Sequence, residues 1–182
     1  YEFLGWFTEQ SGGNEVKSTD TVALTANQTL YAHWKAVTYE VTYDANTADP
    51  SVTGMPDKAQ QKIHDVDLKL SAAQPKRTGY QFDKWNTRAD GNGTAYAAGD
   101  IYKKNEGICL YACWKPNTDT KYVVNHYKQN VDGVGYGQPE IENLEGTTEK
   151  QVTPAVKDYT GFTGPAPQKI TIAADGSTVL DY

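Results

Sequence analysis

Long apolar runs are missing from this chain, and so are basic ones. No stretch approaches the roughly 20 consecutive apolar residues that a membrane-spanning helix needs, so no membrane insertion is expected in this segment. The net charge is −6 and the lysines are scattered. That pattern excludes the basic stripe by which a nucleic-acid partner is held. Cysteine is scarce, with only Cys109 and Cys113. Residues four apart in an extended strand stand roughly 13 Å apart, beyond the about 7 Å Cα reach of a disulfide. Two thiolates with no neighbouring histidine also make an incomplete zinc site. Two free, partly buried thiols are therefore expected. No signal peptide is recognisable. The chain starts at Tyr1 without Met and halfway into a repeated pattern, which leads to the expectation of a half-module upstream of Tyr1.

Motifs that carry chemistry are absent too. There is no nucleophile elbow, phosphate loop or zinc-binding helix. "DGNGT" at Asp90 has the opening of a calcium-binding loop, but the position of its required Glu is Ile101. A hairpin loop is the simpler reading. His33, His64 and His126 sit in separate parts of the chain with no nucleophile pattern around them, and are read as solvated or strand-face residues. Asp65 and Asp67 share a face of a candidate strand and read as its wet side. No catalytic residue, metal ligand or cofactor site is found, and the chain is not expected to be an enzyme.

What is present is aromatic and repeated. Only 38% of residues are hydrophobic, yet 12% are aromatic and 13 are Tyr. Such a chain builds small cores around large rings. "LYAHWKA" begins at Leu30 and "LYACWKP" at Leu110. Upstream, Tyr1, Phe3, Trp6 and Thr8 match Tyr80, Phe82, Trp85 and Thr87 at an offset of 79. After one inserted residue, Leu30, Tyr31, Ala32, Trp34 and Lys35 match Leu110, Tyr111, Ala112, Trp114 and Lys115. All four tryptophans of the chain fall in register, the mark of an internal repeat.

Three units follow. Residues 1–35 are the latter half of a first module, with a strand over "YEFLGWFT" and a closing strand over "QTLYAHW". Residues 36–115 are a complete module. Its first strand is "TYEVTYDAN", a connection runs through "TADPSVTGMPDKAQQKI", a strand follows at "VDLKLS", and the Tyr80 strand and "GICLYACW" close it. Residues 116–182 begin again with "KYVVNHY", lack the paired-Trp half, and end in two strands, "KITIA" and "STVLDY". A short helix per module is permitted but not required. Alternation places Trp34 and Trp114 on a face with Leu30, Ala32, Leu110 and Ala112. Trp6, Trp34, Tyr80, Phe82, Trp85, Leu110 and Trp114 are thus the candidate core. Tyr31 and Tyr111, on the opposite face, are the candidate contacts for a partner.

"YEVTYDAN", "GYQFDKWNTRADGNGTAY" and "LYACWKP" together resemble the Listeria–Bacteroides repeat, the B-repeat module of internalin-like surface proteins. Residues 36–115 span the whole pattern and residues 1–35 its latter half. Lys84 stands where the pattern has Gly before the first Trp, whereas Gly5 keeps it. "TADPSVTG" replaces the usual Gly-Gly. Residues 116–182, from "YVVNHYKQNVDGVGY" to "GFTGPAPQKITI", resemble a MucBP-type module. These resemblances imply a mainly β (α+β, β-grasp-like) fold in tandem modules, end to end, on an extracellular bacterial protein that is cell-wall attached or secreted. They imply a monomeric, non-enzymatic stalk, or an adhesion module whose partner is a host glycan or extracellular protein. Both thiols are expected to titrate in the unfolded, unreduced protein. From the sequence alone, the intact mass should be that of the plain chain, with neither ammonia nor hydrogen lost.

Overall fold

The computed structural model describes residues 1–21 and 27–182. Fifteen strands form, and no helix is found among the described residues. Residues 1–35 contribute β1 (Glu2–Phe7), β2 (Glu15–Val16) and β3 (Tyr31–Lys35). The middle unit holds β4 (Thr38–Asp44), β5 (Gln60–Ile63), β6 (Leu68–Lys69), β7 (Tyr80–Asn86), β8 (Ala95–Tyr96), β9 (Ile101–Tyr102) and β10 (Ile108–Pro116). The last unit holds β11 (Thr120–His126), β12 (Glu140–Gly146), β13 (Gln151–Val152), β14 (Ile170–Thr171) and β15 (Val179–Asp181).

The middle sheet has the order β5-β4-β10-β7-β8. Its first and last long strands, β4 and β10, pair in parallel at its centre, with Val41 opposite Ile108 and Asp44 opposite Tyr111. Every other pair in that sheet is antiparallel. β6 and β9 form a separate two-stranded ribbon. One core results: Val41, Leu70, Trp85, Tyr102, Leu110 and Ala112 are fully or almost fully buried, with Tyr43, Phe82 and Trp114 packed against them. Trp85 lies opposite Ala112 in the ladder, so a large ring faces a small residue. Tyr43 and Phe82 close on Trp85 at 4.8 and 4.9 Å between ring centroids, a spacing at which tilted aromatic pairs attract. The Trp85 indole N–H finds no acceptor among the described residues, and the ring is held by its packing.

The repeat is reproduced residue by residue. In the first unit Phe3 faces Trp34, Trp6 faces Ala32 and Phe7 faces Tyr31. In the middle unit Phe82 faces Trp114, Trp85 faces Ala112 and Asn86 faces Tyr111. The register shifts at the same place in both, leaving Leu4 and Asp83 as the extra residues of a bulge. Thr8 and Thr87 also do the same job: each hydroxyl accepts a backbone N–H across its loop, from Asn14 at 3.0 Å and from Thr94 at 2.9 Å. Gly5 has φ of +142° beside this bulge. Lys84 replaces it with an ordinary negative φ, so the close of the strand tolerates a side chain there.

The halves are not equal, however. The β2-β1-β3 sheet corresponds to β8-β7-β10 and lacks the counterpart of β4 and β5. The expectation that Trp6 and Trp34 are core is therefore corrected: they are 49% and 58% exposed, while Trp85 is wholly buried. The sequence pattern is the same, but burial is a property of both sheet halves together. The closing strand of this unit also starts at Tyr31 rather than at Gln28.

The last unit has the complementary half. β12-β11-β15 places the first strand between a hairpin partner and a parallel last strand, as β5-β4-β10 does. Its own core gathers Tyr122, Val124, Ile172 and Leu180. Two strands of four or more residues were missed from sequence, β5 and β12, as were the two-residue β2, β8, β9 and β13. The inward positions of β5 are Gln60 and Lys62, and β12 turns Glu142 towards His126, so neither shows apolar alternation.

Truncation should separate the equivalent tryptophans. Trp85→Ala is expected to cost about 3–5 kcal/mol. Trp6→Ala, on an open face, should cost about 1 kcal/mol or less. Urea unfolding followed by circular dichroism checks the difference; equal losses would mean that the first unit has a core of its own.

Candidate functional site

Among the described residues the histidines and acids do not assemble into a metal centre. No cluster of three or more potential metal-ligating side chains occurs among the described residues. Asp90 is used by its own turn: it pairs with Arg88 at 2.7 Å and accepts the Asn92 backbone N–H at 3.0 Å. Those two contacts hold its carboxyl below the usual carboxylate range, the Arg88 hydrogen bond most strongly. Next to it, Asn86 is buried and ties the loop through Gly91, Gly93 and Arg88. The "DGNGT" segment is thus a side-chain-braced hairpin loop.

The "DAN" end of β4 has a structural task. The Asp44 carboxylate accepts the Asn46 backbone N–H at 2.6 Å. Asn46 takes a left-handed φ of +55°, a conformation asparagine tolerates better than most residues. Its amide then donates to the carbonyls of Ala89 (2.8 Å) and Ala112 (3.2 Å). The Trp114 indole donates to the Ala45 carbonyl at 2.8 Å. The motif fastens the end of β4 to β10 and to the loop beyond β7.

Tyr31 is exposed, and Tyr111 is half-buried on the central strand β10. The Cys109 sulfur beside Tyr111, by its charge and its hydrogen bond, pushes that phenol above its usual range. Cys109 and Cys113 are free and half-buried. Burial raises the Cys113 thiol, which keeps it protonated and poorly nucleophilic. Phe82, Leu110 and Trp114 lie in or against the middle core, Leu110 fully buried, whereas Tyr80 is half-buried outside that cluster with the Arg77 guanidinium 3.8 Å over its ring.

One cavity was not legible in the sequence. It lies in the last unit and has a volume of about 730 Å³. Its floor is His126, buried, stacked on Tyr182 and 3.3 Å from Glu142. One wall carries Tyr127 and Tyr136, edge to face at 6.3 Å. The other carries Tyr159, whose hydroxyl donates to Glu140 at 2.8 Å, with Lys128 over its ring at 4.1 Å. Phe162 is exposed at the rim. Tyr136 and Phe162 come from "DGVGYG" and "TGFTGPAPQ", two turn-rich segments that only folding brings together. No nucleophile–base pair lies in the cavity. Its lining offers aromatic faces, the amides of Gln129 and Asn130, and Lys157, which is paired with Glu140.

The chain is similar to two longer proteins of Evansella cellulosilytica. One, named "Putative membrane protein", is 29% identical over 163 residues, covering 87% of this chain and 24% of that protein. The other, named "Putative Gly-rich membrane protein", is 28% identical over 173 residues, covering 90% of this chain and 19% of that protein. The chain thus spans a quarter or less of the length of these relatives. No helix among the described residues is long and apolar enough to cross a membrane. No solved structure matches the chain. The model of the Listeria–Bacteroides repeat domain matches residues 1–33 and 39–113, which is more than half of the sequence, and the chain belongs to that family.

Proposed function

We propose that residues 1–182 are a non-enzymatic repeat region of a bacterial cell-surface protein, extracellular and either wall-attached or secreted, that serves as an extended stalk. The single observation that carries this reading is the parallel pairing of β4 with β10. Because the first and last strands of the module run the same way, the chain enters at one end of the sheet and leaves at the other. Thr38 lies about eleven residues of strand from Pro116, or roughly 35 Å at the usual rise. Tension between those ends loads the ladder in shear, all its hydrogen bonds together. β11 and β15 repeat the arrangement in the last unit. Family membership supports a surface repeat region, and the first-strand/last-strand pairing supports a β-grasp-like module. We read 36–115 as one module, 1–35 as the latter half of another, and 116–182 as a MucBP-like unit. The separate cores of the last two support that division.

Small-angle scattering tests the stalk. A compact monomer of this length would have a radius of gyration of about 16 Å. An elongated monomer with its units end to end should clearly exceed that value. A radius at the compact limit would remove the physical basis of the reading.

The cavity between Tyr136 and Tyr159 favours a second reading, adhesion to a host glycan or extracellular protein. Exposed Tyr31 and half-buried Tyr111 are the other contacts proposed. In a glycan and matrix-protein binding screen, adhesion predicts a hit that Tyr111→Ala or Phe162→Ala weakens without lowering the unfolding temperature. No hit in the screen leaves the stalk as the function.

A further inference from the structure

One cluster of reactive side chains, gathered around a buried lysine, is used by neither reading. Lys62, on β5, is fully buried. Lysine is almost never so placed unless it is paired, yet its partners among the described residues are two neutral carbonyls. Its amine donates to the Ile63 carbonyl at 2.7 Å and to Oδ1 of Asn105 at 2.9 Å. Asn105 precedes β10, and its carboxamide is gripped by Asp65. The Asp65 backbone N–H donates to Asn105 Oδ1 at 2.9 Å, while Asn105 Nδ2 donates to Asp65 Oδ1 at 2.8 Å. Asp65 takes a left-handed φ of +60° to do this, a conformation uncommon outside glycine. His64 stands behind it, with Nε2 3.5 Å from Asp65 Oδ2 and Nδ1 2.8 Å from the Tyr39 hydroxyl. The sequence expectation that Asp65 lies on a strand is corrected here: it sits in a turn, still exposed, and is bound to Asn105.

These contacts have the parts of an amide-forming site. One N–H independent of the lysine, that of Asp65, is held 2.9 Å from Oδ1, where negative charge would develop if Cγ were attacked. A nucleophilic nitrogen is already held against the same carboxamide, and Cγ lies only about 1.2 Å beyond Oδ1. A carboxylate sits on the nitrogen that would leave. Lys62 is wholly buried, which strips water from the attacking amine, while Asn105 is half-buried and Asp65 exposed.

We propose that Lys62 and Asn105 join in an intramolecular amide bond, with Asp65 as the catalytic acid–base and His64 as a positioning residue. Lys62 Nζ, once deprotonated, attacks Asn105 Cγ. The Nζ–Cγ bond forms and the Cγ–Nδ2 bond breaks. Asp65 relays a proton from Nζ to Nδ2, which departs as ammonia, and the proton first shed by the ammonium leaves with it as ammonium ion. Asp65 ends ionised, as it began, and no oxidant, reductant or cofactor takes part. The product ties β5 to the strand that pairs with β4, and encloses residues 63–104 in a covalent loop. The inference stands independently of the stalk reading, because a cross-link can form in a domain of any function.

Intact-mass spectrometry of the folded 182-residue chain tests it and replaces the plain mass expected from sequence. The mass should fall one ammonia below that of the sequence. Tryptic digestion should then yield a branched peptide joining the segment of Lys62 to that of Asn105. Lys62→Ala and Asn105→Ala should each have full mass. Asp65→Ala keeps both reacting groups and should slow bond formation by about 100-fold or more. A folded wild-type chain that keeps its full mass after days at neutral pH overturns the proposal, whatever the variants do. So does an ammonia loss that maps to a succinimide at Asn92–Gly93, with no branched peptide.

Discussion

The parallel ladder between β4 and β10 is the constraint on which the middle unit depends. Parallel neighbours cannot be joined by a tight turn. Everything between Asp44 and Ile108 must therefore be placed around the sheet before the ladder can close. The antiparallel hairpin partners, β5 on one side and β7 on the other, then cover the flanks. Val41 and Leu110, one from each central strand, become fully buried because both sides of the ladder are occupied. Asn46 and Trp114 seal its end by donating to backbone carbonyls on the opposite strand, so the two central strands cannot slide without breaking those bonds.

The flanking units show what each half of that design is worth. The first has the aromatic half, with the same bulge and the same cross-strand pairs, and its tryptophans remain half-open. The last has the parallel half and does bury a core, but it recruits Ile172 from outside the long strands to do so. Aromatic residues in register are enough to set strand pairing. Burying them requires a second layer, and in the middle unit that layer comes from Leu70 and Tyr102, beside the β6–β9 ribbon.

This explains which features could be read from the sequence. β7 and β10 were legible because their signals are large, rare and repeated. β4 was legible because Tyr39, Val41 and Tyr43 alternate. β5 was hidden because its inward side chains are Gln60 and Lys62, and polar residues on an inward face defeat a pattern built on hydrophobicity. The same fact hid the Lys62–Asn105–Asp65 cluster: its members lie 43 residues apart in chain and meet only when β5 docks on β4. The aromatic cavity of the last unit was hidden for a related reason, since its rings come from two loops and a strand end. Side-chain chemistry could be read locally; proximity could not.

The joint between the last two units shows how little sequence is needed for a stiff connection. Only "NTD" separates β10 from β11, and Asn117 is bonded on both sides. Its N–H donates to the Gly79 carbonyl at 2.8 Å, and its carbonyl accepts the Thr148 N–H at 2.9 Å. The Thr148 hydroxyl also donates to Gly79, at 2.8 Å. Gly79, at φ of +75°, is packed so closely that a Cβ there would lie 2.7 Å from the Ala174 carbonyl oxygen. The carbonyl just before the β7 strand thus anchors both the linker and the next unit. A free hinge would leave these backbone groups to water. Here they are spent on each other, so bending the joint means breaking hydrogen bonds within a packed contact, and the direction set by β10 is handed on to β11.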